Sequence, residues 1–411
     1  LGRAGVELAL EEYLRGRRGF RRIEVDAFGR ELGELDQQLS TPGANLYLTL
    51  DPRLQEEAEA CLQDKVGAIV ALEPHTGRIL ALASSPSYSP ELFERGMSAA
   101  EWEKIANHKD HPLENRAIRG QYPPGSTFKI IMAVAALEEK VITPQSVITC
   151  TGSLESGHHT FHCWKKSGHG GVNLERAMAA SCDVYFYQLG RRLGMERIAK
   201  WSRRFGLGAP TGLRLDKELP GLVASPAWKQ ARFKAPWTEG DTLSVAIGQG
   251  YNLATPLQMA LVTAAVANGG TLYEPQLVEK IESPSGEILY AFKPVVRNHL
   301  GASPKTLEVV QNALVAVVSR GTGKRAALSQ VEVAGKTGTS QVVSLEKEKA
   351  GKQLRKFQNH AWFVAYAPAG APRLAVAVVV EHGGSGGDAA APLARRMVAR
   401  YLNQPEMAQG R

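Results

Sequence analysis

Short apolar runs near both ends of the chain predict the strands of a sheet, and longer periodic segments between them predict helices. Residues 68–72 and 78–83 are apolar runs joined by the turn-like segment 73–77, a pattern typical of a β-hairpin. Further strands are predicted at 331–335, 362–367 and 374–381. Helical patterns cover 127–140, 173–190, 195–204 and the alanine-rich segment 389–403. This order predicts an α+β fold, in which helices flank a mostly antiparallel sheet.

The first forty or so residues are predicted to form a small separate piece. Residues 2–16 have the pattern of a short amphipathic helix, residues 21–25 alternate as a strand does, and residues 36–43 have the composition of a linker. We therefore predict two parts, an N-terminal piece over 1–43 and a main domain over 44–411. In the main domain, the charged residues 344–358 lack apolar periodicity and predict a surface loop.

Composition and charge exclude some classes of protein. A hydrophobic share of 44% and a charged share of 22% are typical of a globular protein, and no apolar run is long enough to span a membrane. The formal net charge is +8, with five arginines between residues 15 and 22. We interpret this cluster as a solvated basic face beside a missing membrane anchor, because no RNA or DNA recognition motif accompanies it. The chain begins with Leu1 rather than Met, which we interpret as the sign of a fragment.

Ser126 and Lys129 are the first candidate catalytic pair. Pro123 and Pro124 precede a good helix former, so Ser126 is predicted in the first helical turn, with Lys129 on the same face. A serine hydroxyl becomes a nucleophile when a neighbouring base takes its proton, and a lysine of lowered pKa is such a base. Taken alone, this spacing is more often a helix cap or a surface pair.

Two further elements strengthen the hypothesis. Lys336, Thr337, Gly338 and Thr339 follow a predicted strand, where the lysine and hydroxyls would hold a substrate carboxylate and the glycine would let its backbone approach. Ser181, Cys182 and Asp183 follow a helical stretch, where Ser181 would relay a proton. The simpler alternatives are a polar edge strand with a glycine bulge and a plain helix cap.

Together and in this order, these elements match the set Ser-x-x-Lys, Ser-x-Asn and Lys-Thr-Gly of serine acyl-enzymes. The chain resembles the penicillin-binding proteins, specifically the class B transpeptidases, over roughly residues 44–403. The runs GDTLSVAIGQG at 240–250, ATPLQMA at 254–260 and HAWFVAYAP at 360–368 are also similar to that family. Within it, residues 46–55 and 181–188 most resemble penicillin-binding protein 2, the elongation transpeptidase of rod-shaped bacteria.

The resemblance implies a fold, a reaction and residue roles. The fold would be that of the penicillin-binding serine transpeptidases, with a helical subdomain and a remnant of an N-terminal pedestal. Ser126 would attack a D-alanyl-D-alanine stem peptide, and an amine of a second stem peptide would take the acyl group. Lys129 would be the base and Ser181 the relay, while Lys336, Thr337, Gly338 and Thr339 would bind the terminal carboxylate. β-Lactams would acylate and inhibit Ser126.

Asp183 departs from the family pattern, because most relatives have Asn at this place. An amide donates and accepts hydrogen bonds, whereas an ionised carboxylate only accepts them. We expect Asp183 to bind substrate, with the nature of that contact left open.

Four residues between the first two motifs predict a structural zinc site. Cys150, Cys163, His169 and Cys182 offer three thiolates and an imidazole, a closed tetrahedral set, and penicillin-binding protein 2 relatives are similar in placing zinc here. A disulfide is the alternative, and His158, His159 and His162 are alternative ligands. Cys61 is expected to be a buried apolar group. No organic cofactor is expected.

The family also implies partners and a location. We expect a periplasmic protein held to the inner membrane by a single N-terminal anchor outside this sequence. Its partners would be peptidoglycan stem peptides, β-lactams, a SEDS-type glycan polymerase and elongation-complex proteins, and not nucleic acid. Alternatives with the same motifs are a β-lactamase or D,D-carboxypeptidase, which would hydrolyse the acyl-enzyme, and a β-lactam sensor, which would signal.

Overall fold

The computed structural model describes residues 2–215, 217–341 and 358–402. The predicted loop 344–358 lies outside these ranges except for residue 358, as does residue 403 of the last predicted helix. The described helices are α1 Gly5–Ala9, α2 Glu11–Leu14, α3 Pro52–Leu62, α4 Glu91–Glu94, α5 Ala99–Ala106, α6 Arg116–Arg119, α7 Lys129–Glu138, α8 Leu174–Ala179, α9 Asp183–Arg204, α10 Pro226–Phe233, α11 Glu239–Ala246, α12 Pro256–Ala267, α13 Pro304–Ser319 and α14 Ala391–Leu402. None of them combines the length and apolar composition needed to cross a lipid bilayer.

The described strands are β1 Phe20–Val25, β2 Glu31–Gln38, β3 Asn45–Leu48, β4 Gly67–Leu72, β5 Ile79–Ser85, β6 Ile148–Cys150, β7 Ser153–Ser156, β8 His159–His162, β9 Gly170–Val172, β10 Thr271–Tyr273, β11 Val278–Glu282, β12 Ile288–Ala291, β13 Val296–His299, β14 Ala334–Ser340, β15 His360–Ala367 and β16 Leu374–Val380. Contacts divide the chain into two compact units, which are described separately below.

The smaller unit comprises Leu1–Thr49, Leu213–Lys217 and Gln276–Lys293. It contains an antiparallel β1–β2 ribbon and a three-stranded sheet in the order β12-β11-β3. Every residue of β1 and β2 is exposed, so these strands carry no apolar alternation by which β2 could be recognised in the predicted linker. The predicted helix over 2–16 is wrong as a single element, because the chain leaves helical geometry at Leu10. The boundary after residue 43 stays a prediction.

The larger unit is built on a five-stranded sheet in the order β14-β15-β16-β4-β5. All four strand pairs are antiparallel, which confirms the predicted antiparallel sheet. The bounds of the strand predicted at 331–335 are wrong, because β14 spans Ala334–Ser340 and carries Lys336–Thr339 within the strand. Residues of α3 and α14 pack with alternate residues of the strands in one apolar core. Helix α12 packs against β4 and β16, and because both faces of these strands are covered, all their residues are buried.

A group of packed helices, α7, α8, α9, α11 and α13, lies in the same unit. The predicted helix over 173–190 is interrupted between α8 and α9, where Ser181 has a φ of +51° that no helix contains. The predicted gap before residue 195 corresponds to Gly194, whose φ of +73° breaks the regular geometry of α9. The first of these interruptions places Ser181, Cys182 and Asp183 together at the beginning of α9.

Candidate active site

Ser126 lies on a tight turn between two buried segments. Residues Gly125–Phe128 form a 3₁₀ turn that leads into α7, and Ser126 is partly exposed whereas Thr127 and Phe128 are buried. Gly125 has a φ of +54°, and a Cβ there would meet the carbonyl oxygen of Thr339 at 2.7 Å. Only glycine allows this approach, which brings the serine beside β14.

The Lys129 side chain is fully buried one helical turn later. Its Nζ donates to Asp183 Oδ1 at 2.6 Å, to the Ser181 carbonyl at 3.0 Å and to Ser181 Oγ at 3.3 Å. Between the described residues there is no hydrogen bond from Ser126 Oγ to this amine. The structure therefore places the predicted base among the residues of the second motif.

Lys336 reaches the same serine from the sheet. Its Nζ donates to Ser181 Oγ at 2.9 Å and to the Thr337 carbonyl at 3.2 Å. Burial, and then the nearby Lys129 ammonium, hold the pKa of Lys336 well below its usual value of 10.5. The Ser181 hydroxyl thus accepts hydrogen bonds from both lysines, and its own proton remains available to donate. We call Lys129, Ser181, Asp183 and Lys336 the lysine cluster.

Asp183 supplies the carboxylate of the lysine cluster. Its Oδ1 accepts from Lys129 and its Oδ2 from the backbone N–H of Trp164 at 3.1 Å. An ionised carboxylate only accepts hydrogen bonds, and Asp183 receives one from each of two donors. Its negative charge offsets part of the positive charge of the buried lysines. The predicted contact of Asp183 with substrate stays a prediction, but the described contact is to the predicted base.

The motif Lys336–Thr339 lies on β14, an edge strand of the sheet. Thr337 Oγ1 lies 2.7 Å from Thr322 Oγ1, and the Thr339 carbonyl accepts from Gln249 Nε2 at 3.1 Å. A Cβ on Gly338 would meet Trp362 Cβ at 2.8 Å and Thr127 Cγ2 at 2.9 Å, so no other residue fits there without movement. The exposed Thr339 and the partly exposed Ser126 give substrate access to this strand.

A second ionic group, the arginine cluster of Arg116, Tyr122 and Glu381, anchors the segment that leads to Ser126. Arg116 Nε donates to Glu381 Oε1 at 2.8 Å, and Tyr122 Oη donates to the same oxygen at 2.7 Å. Burial opposes ionisation of Glu381, but the hydrogen bonds from Tyr122 and Arg116 lower its pKa below the usual 4.5. Tyr122 also exchanges two backbone hydrogen bonds with Ala254. This cluster fixes the chain four residues before the serine.

The four predicted metal ligands, here called the cysteine cluster, converge at the beginning of α9. One ligand atom from each of Cys150, Cys163, His169 and Cys182 lies within 4.8 Å of all the others. The distances from His169 Nδ1 to the sulfurs of Cys150 and Cys163 are 3.6 and 3.5 Å. Zinc–sulfur bonds of about 2.3 Å in a tetrahedron place ligand atoms at about this separation, so the residues fit a zinc ion.

The alternatives to these ligands lie elsewhere. His158, His159 and His162 are exposed and do not join the cysteine cluster, and all four cysteines are free in the structure. A hydrogen bond from the Cys182 thiol lowers the pKa of Cys163, although burial opposes this. Burial raises the pKa of Cys61 to about 12, as expected of an unreactive core thiol.

Sequence reasoning missed the residues that support the site from a distance. Arg116 and Glu381 are 265 residues apart, and no local pattern links them. Thr322 and Trp164 contact catalytic candidates through single hydrogen bonds and carry no motif of their own. Gln249 lies inside the run at 240–250, which resembles the family, and this resemblance is the sequence signal that could have identified it.

Two family models match the chain. The "Penicillin binding protein transpeptidase domain" matches residues 67–399, and the "Penicillin-binding Protein dimerisation domain" matches residues 1–48. A Haemophilus influenzae protein named peptidoglycan D,D-transpeptidase MrdA is 39% identical over 415 residues, which cover 98% of this chain and 63% of that protein. The chain therefore spans less than two thirds of the length of that relative.

Solved structures resemble this chain over most of its length. A complex between penicillin-binding protein PBP2 and MreC from Helicobacter pylori has a TM-score of 0.87 at 33% identity, with coverage of 98% of this chain and 72% of that chain. The ceftriaxone acyl-enzyme of penicillin-binding protein A from M. tuberculosis has a TM-score of 0.77 at 31% identity, with coverage of 89% and 81%.

Proposed function

The chain belongs to the penicillin-binding proteins that carry a transpeptidase domain, and from this we propose that it is the catalytic portion of a peptidoglycan D,D-transpeptidase of the penicillin-binding protein 2 type. The observation that carries the proposal is the Ser181 hydroxyl, which accepts hydrogen bonds from Lys129 and Lys336. Three motifs that are far apart in sequence meet at this one atom. A single reaction then accounts for all of them.

In the first step, Ser126 Oγ attacks the penultimate carbonyl of a stem peptide that ends in D-alanyl-D-alanine. Lys129 takes the serine proton, and Ser181 passes a proton to the leaving nitrogen as D-alanine departs. The hydrogen bonds of Lys129 Nζ to Asp183 Oδ1, the Ser181 carbonyl and Ser181 Oγ support this role, because they place the amine beside the proposed relay. Lys336, Thr337 and Thr339 bind the terminal carboxylate, and the backbone N–H groups of Ser126 and Thr339 hold the oxyanion.

In the second step, an amine of another stem peptide attacks the ester on Ser126. The new C–N bond forms as the C–O bond to Ser126 breaks, and the amine proton returns to Ser126 Oγ through the lysine cluster. A β-lactam enters the first step in place of the peptide. The ring C–N bond breaks as the C–O bond to Ser126 forms, and the departing nitrogen remains part of the same molecule. Because no activated water is supplied to hydrolyse the ester, the drug stays on Ser126.

Labelling with a fluorescent penicillin tests the reaction. The unsubstituted protein should be labelled at one molecule per chain and should release D-alanine from a D-alanyl-D-alanine peptide. Ser126→Ala should do neither, whereas Ser285→Ala, at an exposed turn, should behave like the unsubstituted protein. Sustained turnover of the β-lactam with rapid loss of the label would instead identify a hydrolase.

We also propose that the cysteine cluster binds one zinc ion. The metal would hold the loop at 150–169 to the beginning of α9, and thereby fix Ser181 and Asp183 on either side of Cys182. Metal analysis should find about one zinc per chain in the purified protein and in Cys61→Ala. Cys163→Ala should lose the metal. Equal zinc content in the two variants would contradict the assignment.

We further propose a periplasmic location at the inner membrane, with an N-terminal anchor and a SEDS-type polymerase as expected of the family. The MreC bound in the Helicobacter pylori complex supports an elongation-complex partner of this kind. Co-purification of the full-length protein with the MreC homologue of the same organism tests this proposal. Failure to co-purify from membranes in which both are present would contradict it.

A further inference from the structure

An open cleft of about 750 Å³ lies beside the lysine cluster and is not used by the reaction described above. Its walls come from the loop that carries Trp164 and Lys165, from helix α8 with Arg176, and from the segment after α13 with Arg320 and Thr322. We call it the basic cleft. All of these residues lie in the larger unit.

The basic cleft is built onto the catalytic residues by hydrogen bonds. Thr322 Oγ1 lies 2.7 Å from Thr337 Oγ1, and the Thr322 N–H donates to the Ala179 carbonyl at 3.1 Å. Trp164, which also lines the cleft, donates from its backbone to Asp183 and from its indole Nε1 to the Ala180 carbonyl at 3.0 Å. The residue after Ala180 is Ser181, so the cleft borders the proposed proton relay.

The charge of the basic cleft suits an anionic ligand. Lys165, Arg176 and Arg320 line it together with a single carboxylate, Glu175, which pairs with Arg320. Lys165 is exposed, and among the described residues its ammonium has no hydrogen-bonding or ion-pair partner. Trp164, the neighbouring residue, is 60% exposed and offers a flat apolar surface. This combination recognises a peptide that carries carboxylates.

We propose that the basic cleft binds the acyl acceptor, a stem peptide with free carboxylates, and directs its amine to the ester on Ser126. The inference rests on the proposed transpeptidase function. In the acyl-enzyme the donor peptide stays attached to Ser126, so the acceptor requires a separate approach. The cleft provides one on the side of Ser181, where the amine proton is removed as the C–N bond forms and Ser126 Oγ is released.

The experiment measures cross-linking as a function of acceptor concentration, with the full chain and a D-alanyl-D-alanine donor. The acceptor is a synthetic peptide with one free amine and two carboxylates, and a second acceptor has both carboxylates amidated. The test variants are Lys165→Glu, Arg176→Gln and their combination. The matched control is Lys166→Glu, which makes the same charge change at the exposed neighbouring residue that does not line the cleft. Fluorescent-penicillin acylation is measured on every protein.

Lys165→Glu should raise the KM for the carboxylated acceptor about fivefold, and the double variant about tenfold, as expected for exposed charge pairs. Acylation by penicillin should not change, and the fraction of acyl-enzyme lost to water should increase. The amidated acceptor should have the same KM with all proteins, and Lys166→Glu should match the unsubstituted chain.

Three results would overturn the inference. One is an unchanged KM for the carboxylated acceptor in the double variant, and another is an equal effect of Lys166→Glu. The third is a parallel loss of penicillin acylation, which would place these residues in the donor reaction. If the unsubstituted protein is acylated but cross-links neither acceptor, the proposed function itself fails and the inference fails with it.

Discussion

Two buried ionic clusters flank Ser126, and they differ in how their charges are balanced. The arginine cluster pairs one guanidinium with one carboxylate, and Tyr122 adds a neutral donor to the same oxygen. The lysine cluster places two amines around one hydroxyl and one carboxylate. A balanced buried pair keeps both groups ionised, whereas an excess amine is driven towards its neutral form.

This difference suits the arginine cluster to holding the chain in place and the lysine cluster to catalysis. Glu381 has a lowered pKa and remains charged at neutral pH, so the arginine cluster is a fixed structural element. Burial, and then the neighbouring Lys129, lower the pKa of Lys336 strongly, so this lysine can lose its proton at a pH below its usual 10.5. Substitutions in the two clusters should therefore affect different measurements.

The largest effect is expected from Lys129→Met, which keeps the length of the side chain and removes the base. The rate constant for acylation by fluorescent penicillin should fall about 10³-fold, the usual contribution of a general base. Lys200→Met, at an exposed lysine on α9, should leave it unchanged. If Lys129→Met were acylated at nearly the original rate, Lys129 would not be the base of the reaction.

Arg116→Met should instead lower the stability of the fold. It leaves the Glu381 carboxylate buried without its cation, which costs about 3 kcal/mol in the free energy of unfolding. The double variant Arg116→Met/Glu381→Met should recover most of this loss. Urea unfolding measures both, and acylation should change far less than in Lys129→Met. A stable Arg116→Met protein that cannot be acylated would contradict this distinction, because the arginine cluster would then be needed for catalysis and not for stability.

Tyr122→Phe should have a smaller effect of the same kind. It removes one hydrogen bond to a charged acceptor, worth about 1.5 kcal/mol of unfolding free energy. Tyr187→Phe is the control, because its hydroxyl donates to the neutral carbonyl of His162 at 3.2 Å and its loss should cost less. Equal losses would indicate that Glu381 is not charged in the folded protein.

The two clusters should also respond to pH in separate windows. Unfolded Lys336 keeps its proton up to about pH 10.5, while the folded residue releases it at lower pH. The unfolded chain then binds more protons, so the free energy of unfolding rises with pH over this interval, by at most about 1.4 kcal/mol per pH unit. The rise should be missing in Lys336→Met when unfolding is measured at a series of pH values.

Glu381 should affect the free energy of unfolding at acid pH, at the other end of the pH range. Its folded pKa lies below 4.5, so its contribution is complete above pH 4.5 and is lost as the pH falls through the lowered pKa. Glu381→Gln should lack this acid-induced loss and keep the alkaline rise. Identical pH profiles for the two variants would contradict the distinction between the clusters.

The sequence predicts the catalytic residues of the site better than the residues that hold them in place. The antiparallel sheet could be predicted because β4, β15 and β16 are apolar runs of ordinary length, whereas the polar β14 has no such pattern. The chain's membership of the family confirms the resemblance read from the three motifs. The residue roles stay predictions. What no local pattern could reveal is that Asp183 contacts Lys129, since the two are 54 residues apart and meet only after α7 and α9 pack.

The weaker predictions fail where burial does not shape the pattern. Strand β2 is exposed along its whole length, so its residues have no alternation to distinguish them from a linker. The break before α9 depends on the left-handed backbone of Ser181, a conformation that serine seldom adopts and that no sequence pattern signals. The segments of the smaller unit at 213–217 and 276–293 join residues 1–49 across long separations, which sequence periodicity does not record.

Under the proposed function, the place of β14 at the edge of its sheet would limit how resistance to β-lactams can arise. An extended peptide laid along a border strand is recognised through main-chain groups, which the chain cannot alter by substitution. Gly338 accepts no larger side chain without displacing Trp362 or Thr127. Under that function, mutations that exclude a β-lactam by reshaping this edge would also exclude the stem peptide, so tolerated resistance mutations should lie away from it.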